Sequence, residues 1–422
     1  MSDLVAPEID DVAPQRGSLH IFRYRNFALF FSAAAISNAG GWMQLIAVQA
    51  LMYKLTGRGS WLGASTVASL VPGVLLTPYA GVLADRISRQ TILKVTQSLQ
   101  MIVAAAMWVI YVHGSITPWW IVVLSLMNGV AVGFQTAAWQ SFVPLLVPPH
   151  EILHAVRLNS TQYTVARAVG PAIGGIVVAI SGIGSAIACN AITYLLVIGV
   201  LFAVEPRVHA TPSRGEGIWA GLVDGARYTW SRPRLRLAVL LGLAVSMLGQ
   251  SIQYIASALS ERLFNHSAEG NAGLLSSFGV GSLLSAGVTV VYGNRLRRPG
   301  QVFAGLSLYA FSVTLLPLTH SYAVGMLAYF LAGCGHLLVV VALNTMLQGS
   351  VPDEYRGRVT SFYILGILGG IPIGSQLLGS LGDVIGFRRT LLVDAFAFGA
   401  VLATLVISGW WRALDESTPE TQ

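Results

Sequence analysis

The sequence predicts an all-α integral membrane protein with 12 transmembrane helices in two pseudo-symmetric six-helix bundles. Three observations lead there. The 422 residues are 54% hydrophobic and only 10% charged, against about 25% charged in soluble domains. The apolar residues come in runs of about 20, the length that crosses a bilayer core. Features of the first half return about two hundred residues later, as in chains built from two parallel repeats. A soluble chain this poor in charge would expose apolar patches and aggregate.

Taken in order, residues 1–26 form a polar tail. It carries Asp3, Glu8, Asp10 and Asp11 and lacks the apolar stretch of a cleavable leader. The first bundle, 27–204, holds apolar runs at 27–53, 61–84, 91–112, 118–146, 158–180 and 185–204. Lys94 lies near the start of the third and Arg167 inside the fifth. The segment 205–236 is a linker rich in Arg and Pro. Its Ile218, Trp219, Leu222 and Val223 share one helical face, away from Asp224 and Arg227. That pattern fits a short amphipathic helix on the membrane surface or an irregular polar loop. The second bundle, 237–411, has runs at 237–259, 270–293, 302–318, 323–347, 359–381 and 391–410, and 412–422 is a tail.

Basic residues orient the chain. Arg86, Arg89 and Lys94, the linker arginines, Arg295, Arg297, Arg298, Arg356 and Arg358 fall on the side of the termini. The opposite side holds only Lys54, Arg58, Arg262, Arg388 and Arg389. The positive-inside rule then puts both termini in the cytoplasm. The net charge of +7 is thus explained by loops, and no basic patch with interleaved aromatics suggests nucleic acid. Cys189 and Cys334 lie within apolar runs, without metal-ligand spacing.

The repeat is visible in corresponding loops. Residues 85–90, DRISRQ, align with 294–299, NRLRRP. Arg157 and Pro171 align with Arg358 and Pro372, and Val147-Pro148 with Val351-Pro352. An even number of helices per repeat makes the halves parallel, with a site expected between them near mid-membrane.

Two motifs carry a resemblance. Gly81 lies near the end of the second run, and Asp85, Arg86 and Arg89 follow it. Asp85 there is able to meet a basic neighbour or a positive helix N-terminus and latch one state of the bundle, and Gly81 permits close helix approach. Gly170-Pro171-Ala172-Ile173-Gly174-Gly175 bends a helix and lets a neighbour approach. The first resembles the loop between helices 2 and 3 of the major facilitator superfamily. The second resembles the antiporter motif of its exporters. Residues 22–27 (FRYRNF), 158–175 and 351–358 (VPDEYRGR) look more narrowly like the enterobactin-exporter branch, the transmembrane secretion effectors. The chain departs from that branch at Gly40-Gly41-Trp42, where members often have Asp or Thr before the Trp. It departs again at Ala137-Ala138-Trp139-Gln140, where they often have Pro-Ala-Arg-Gln.

Ionisable groups inside spans are costly and point to function. Arg167 reads as an anion receptor, as the partner of a titrating acid, or as a clamp on backbone carbonyls. Asp394 is the buried-acid candidate, with Arg389 five residues before it as a possible interfacial partner. His336 is either a titrating group or a hydrogen-bonded core residue. The resemblance puts helices 1, 4, 7 and 10 around the cavity, which favours Asn38, Gln44, Gln135, Gln250 and His336. Some of these amides are expected to be helix–helix hydrogen bonds. Trp42, Trp139, Tyr254 and Tyr329 offer aromatic surface.

No nucleotide-binding loop, nucleophile elbow, zinc-protease motif or cysteine pair is present. The expectation is a secondary transporter and not an enzyme, a proton-coupled exporter of a drug, siderophore or metabolite. An importer or uniporter, and a sensor with a transporter fold, are the alternatives. Expected partners are the small-molecule substrate, protons and lipid, with no cofactor, metal or nucleic acid, and the chain working as a monomer.

Overall fold

The computed structural model describes residues 18–207, 218–292 and 297–409. The side chains at 18–19, 77–78, 81–82, 84–86, 218–222, 290, 292, 353–354, 356–357 and 361 fall outside that description. The described chain is all-helical, and ten of its helical stretches are long and apolar enough to cross a membrane.

α1 (Arg25–Thr56) ends at Gly57, whose φ of 60° is the left-handed cap that glycine adopts without strain. α2 is Gly59–Arg86. α3 (Arg89–Val112) is capped by Ser88, whose hydroxyl accepts the Thr91 N–H at 3.1 Å. α4 (Pro118–Phe142) starts with proline in the first turn, where no N–H is needed. α5 runs from Ile152 to Ala203 but breaks at Gly182, where φ is 83° and ψ is 172°. That is the tight gap expected between the fifth and sixth runs.

The linker forms a helix, α6 (Ile218–Ser231). Asp224 pairs with Arg358 at 2.6 Å, and Tyr228 stacks on Tyr355 with centroids 4.1 Å apart. The helical reading of this segment therefore holds from Ile218, while 208–217 lie outside the described residues. α7 (Pro233–Ala244) passes through a π turn, Val245–Gly249, and a 3-10 stretch, Gln250–Ile255, into α8 (Ala256–Phe264). There follow α9 (Asn271–Tyr292), α10 (Arg298–Leu318), α11 (Tyr322–Ser350), α12 (Asp353–Ile385) and α13 (Phe387–Ile407).

Two seams join the residues before the linker to those after it: α2 packs along α12, and α5 along α9. Both rely on small residues. A Cβ on Gly63 would stand 2.6 Å from the Gln376 Cα, and one on Gly59 3.0 Å from the Gly379 Cα. Without a hydrophobic drive between helices in lipid, such close backbone packing supplies much of the attraction. The outward faces are apolar, as at Ile180, Phe202, Val384, Phe396 and Ile407.

Polar contacts cross between the halves at the end where α1 turns into α2. Lys54 pairs with Glu269. Arg262 Nε donates to the Tyr53 hydroxyl at 2.9 Å. Asn271 donates to the Ile46 carbonyl at 3.2 Å. The Asp383 carboxylate accepts the Gly59 and Ser60 N–H groups at 2.7 and 2.9 Å. A carboxylate against the first amides of α2 meets the positive end of that helix.

Candidate functional site

The site begins with a missing hydrogen bond. Pro171 has no N–H, so the Arg167 carbonyl four residues earlier loses its partner within α5. Gly279 of α9 stands over that carbonyl. A Cβ at 279 would lie 3.1 Å from the Arg167 oxygen and would overlap Ala168. Other faces of α5 are shaped by glycine as well. Cβ atoms on Gly170 and Gly174 would come within 2.6 Å of Trp42 Cβ and 2.8 Å of Met43 Cα in α1, and one on Gly175 within 2.5 Å of Ala272 Cβ in α9. The glycines and proline of this motif thus wedge α5 between α1 and α9.

Arg167 projects from this wedge. Its guanidinium carbon lies 5.5 Å from the Trp42 ring centroid and 5.2 Å from that of Phe278, one ring from each half. Nη2 reaches Gln253 Oε1 at 3.4 Å, while Nε is buried without a hydrogen-bond partner. Among the described residues no carboxylate forms an ion pair with it, and no backbone carbonyl accepts from it.

Gln253 sits on the irregular stretch between α7 and α8. Packing explains the irregularity. Gly370 and Gly374 of α12 press against the backbone of Leu243 and Met247, and the Tyr329 hydroxyl donates to the Ile252 carbonyl at 2.9 Å. π turns and broken helices are frequent at functional sites. Gln250, on the same stretch, is buried with Oε1 unpaired.

Deeper in the second half, His336 is 5% exposed, with its ring centroid 5.6 Å from Phe278 and 6.1 Å from Tyr309 and its Nδ1 unpaired. Tyr309 lies within electrostatic reach of both Arg167 and Asp394. Asp394 is 3% exposed with Oδ2 unpaired. Among the described residues it makes no ion pair with Arg389, which is exposed. Burial of unpaired polar atoms is costly, so Arg167 Nε, Gln250 Oε1, His336 Nδ1 and Asp394 Oδ2 are informative.

The other candidates are placed differently. Asn38 donates to Gln162 at 3.3 Å, tying α1 to α5. Gln44 accepts from Asn190, and Gln135 from Gln100, each at 2.5 Å. These are helix–helix hydrogen bonds within the first half. Trp139 donates weakly to Asn159 at 3.4 Å. In the latch motif, Asp85 and Arg86 close α2, and the side chains of Gly81, Asp85 and Arg86 lie outside the described residues. Arg89 opens α3 and lines a cleft of about 230 Å³ with Gln90, Phe142 and Arg207. Phe278 and Tyr309 were not among the sequence candidates, because nothing distinguishes an aromatic in an apolar run until its neighbours are known.

Residues 16–417 match the family model described as transmembrane secretion effector. The chain is 23% identical to the staphyloferrin A transporter of Staphylococcus aureus, over 86% of this chain and 91% of that protein. It is also 23% identical to the multidrug efflux pump Tap of Mycolicibacterium fortuitum, with the same coverage. The fold is similar to a crystal structure of the nucleoside transporter NupG, with a TM-score of 0.75 and 12% identity over 91% of this chain and 99% of that one. With ten apolar helices among the described residues and a family match across nearly its whole length, the chain is a multi-pass membrane protein, not an enzyme, and belongs to the transmembrane secretion effector family of major facilitator transporters.

Proposed function

We propose that this protein is a secondary active exporter of a small organic molecule, working by alternating access and driven by protons. The observation that carries the reading is the polar cluster around Arg167, set where the two halves meet and fed by a broken helix. Relatives named as a multidrug efflux pump and an enterobactin exporter support the direction of transport. The architecture proposed is twelve spans in two six-helix bundles, 27–204 and 237–411. The ten apolar stretches reach twelve when the longest is divided at Gly182 and the 32-residue α1, interrupted by Asn38, Gln44 and Gln49, is added. Both termini then lie in the cytoplasm of a bacterial cell, and the contacts of Lys54, Arg262 and Asp383 close the outer end. The protein works as a monomer in lipid.

The proposed pathway runs past Arg167, Gln250 and His336, with Asn38, Gln44 and Gln135 bracing the first bundle. Gly81, Asp85, Arg86 and Arg89 form the inner latch, and Gly170, Pro171, Gly174 and Gly175 the pivot of α5. Asp394, buried and unpaired, is the proposed proton carrier. The test is accumulation of candidate compounds in cells with and without this chain, with and without an uncoupler, together with proton flux in proteoliposomes. Uncoupler-sensitive efflux and substrate-driven proton flux that Asp394→Asn abolishes are expected. Flux unchanged in Asp394→Asn removes that residue from coupling, and efflux indifferent to the uncoupler removes proton drive.

A further inference from the structure

We infer that the molecule carried is an organic anion, an amphipathic carboxylate whose charge is met by Arg167. This deepens the export reading and rests on it. The argument starts from charge. Arg167 is always protonated, it lies within a span, and among the described residues it has no carboxylate in an ion pair with it. A cation in a bilayer costs several kcal/mol unless it finds a counter-charge, water or carbonyl oxygens. Among the described residues no backbone carbonyl accepts from it, and its one hydrogen bond is the 3.4 Å contact to the Gln253 amide oxygen. The Trp42 and Phe278 rings lower the cost on its faces. They leave the N–H edge, including the unpartnered Nε, for a planar oxyanion, which a guanidinium binds in bidentate fashion.

Further polar groups lie on the elements that meet Arg167: Gln250 shares the 3-10 stretch of Gln253, and His336 contacts the same Phe278 ring. The buried Gln250 Oε1 and His336 Nδ1 are both unpaired. Each accepts a hydroxyl or amide N–H once a ligand brings one, provided the imidazole is neutral with its proton on Nε2. Asp394, the acid that would compete for Arg167, makes no ion pair with it among the described residues, and its Oδ2 is buried without a partner. The aromatic walls favour a ligand with a flat apolar body beside its charge.

Three compounds of one shape and different charge test this: 1-naphthoate, 1-naphthamide and 1-naphthylmethylammonium, titrated into the purified protein in nanodiscs by calorimetry and tryptophan fluorescence. Naphthoate is expected to bind best. Arg167→Lys is expected to weaken it by about tenfold through loss of the fork. Arg167→Gln, checked for folding by size exclusion, is expected to erase the preference for the anion. If Arg167→Gln does not fold, the wild-type order and Arg167→Lys decide. Equal binding of the three, preference for the ammonium, no naphthoate binding at millimolar concentration, or naphthoate binding unchanged in Arg167→Lys would each overturn the inference. Transport is scored apart, as efflux of the same compounds from loaded proteoliposomes. Naphthoate bound but never moved would sink the export reading and leave the anion site. An ammonium compound moved while naphthoate is ignored would do the reverse.

Discussion

Gly41 and Gly170 look alike in the sequence and stand in opposite surroundings. Gly41 faces open space, whereas a methyl at 170 would come 2.6 Å from the Trp42 Cβ and 3.0 Å from the Ala39 carbonyl. Gly41→Ala is expected to leave the melting temperature of the purified protein unchanged. Gly170→Ala should lower its stability by about 1–3 kcal/mol, the usual cost of overpacking, and should slow transport because α5 cannot seat against α1. A thermal-shift series in one detergent checks both, and equal effects at the two positions would refute the packing argument. The same scale shows what a sequence conveys of a site. Arg167, His336 and Asp394 were legible because an ionisable group in an apolar run is rare. Phe278 was not, since its role depends on which cation it touches. Gln44 and Gln135 read as pathway candidates by their helix, but hydrogen-bond partners on neighbouring helices engage them.

At the scale of the element, the stretch 245–255 departs most from expectation. Residues 237–259 read as one uninterrupted apolar run, with no proline to announce a break. The distortion comes from neighbours: glycines of α12 allow its backbone to press on Met247, and Tyr329 ties down the Ile252 carbonyl. Periodicity cannot report a helix bent by its tertiary partners, whereas Gly182, at the end of two apolar runs, announced its break by composition. Tyr329→Phe removes the hydroxyl and leaves a buried carbonyl unsatisfied. The expected loss is about 1–3 kcal/mol, with faster amide exchange confined to 250–255 by mass spectrometry. Exchange that rises uniformly along the chain would mean that Tyr329 supports the fold generally and not this bend.

For the molecule as a whole, most of the polar contacts described between the halves gather at one end, so the proposed alternating access requires that end to part. Cysteines at 54 and 269, in a background lacking Cys189 and Cys334, are expected to be bridged by a short bis-methanethiosulfonate reagent, which forms a disulfide with each thiol and expels sulfinate. Transport should fall to background and return once a cleavable bridge is reduced. Full activity in the bridged protein would show that this end does not open during the cycle. That the chain is all-helical and crosses a membrane many times was readable from hydropathy, because lipid demands long apolar helices. Which end is closed was not readable, since it depends on pairings between residues hundreds of positions apart. One of those pairings has a further consequence for how mutations are inherited. Asp383 grips the main chain of residues 59 and 60, and every amino acid except proline offers the same amide there. Selection therefore sees the contact on one side only. A saturation scan would register Asp383 as intolerant and Ser60 as indifferent to all but proline, and covariation between the two positions would stay silent about a contact that holds the halves together.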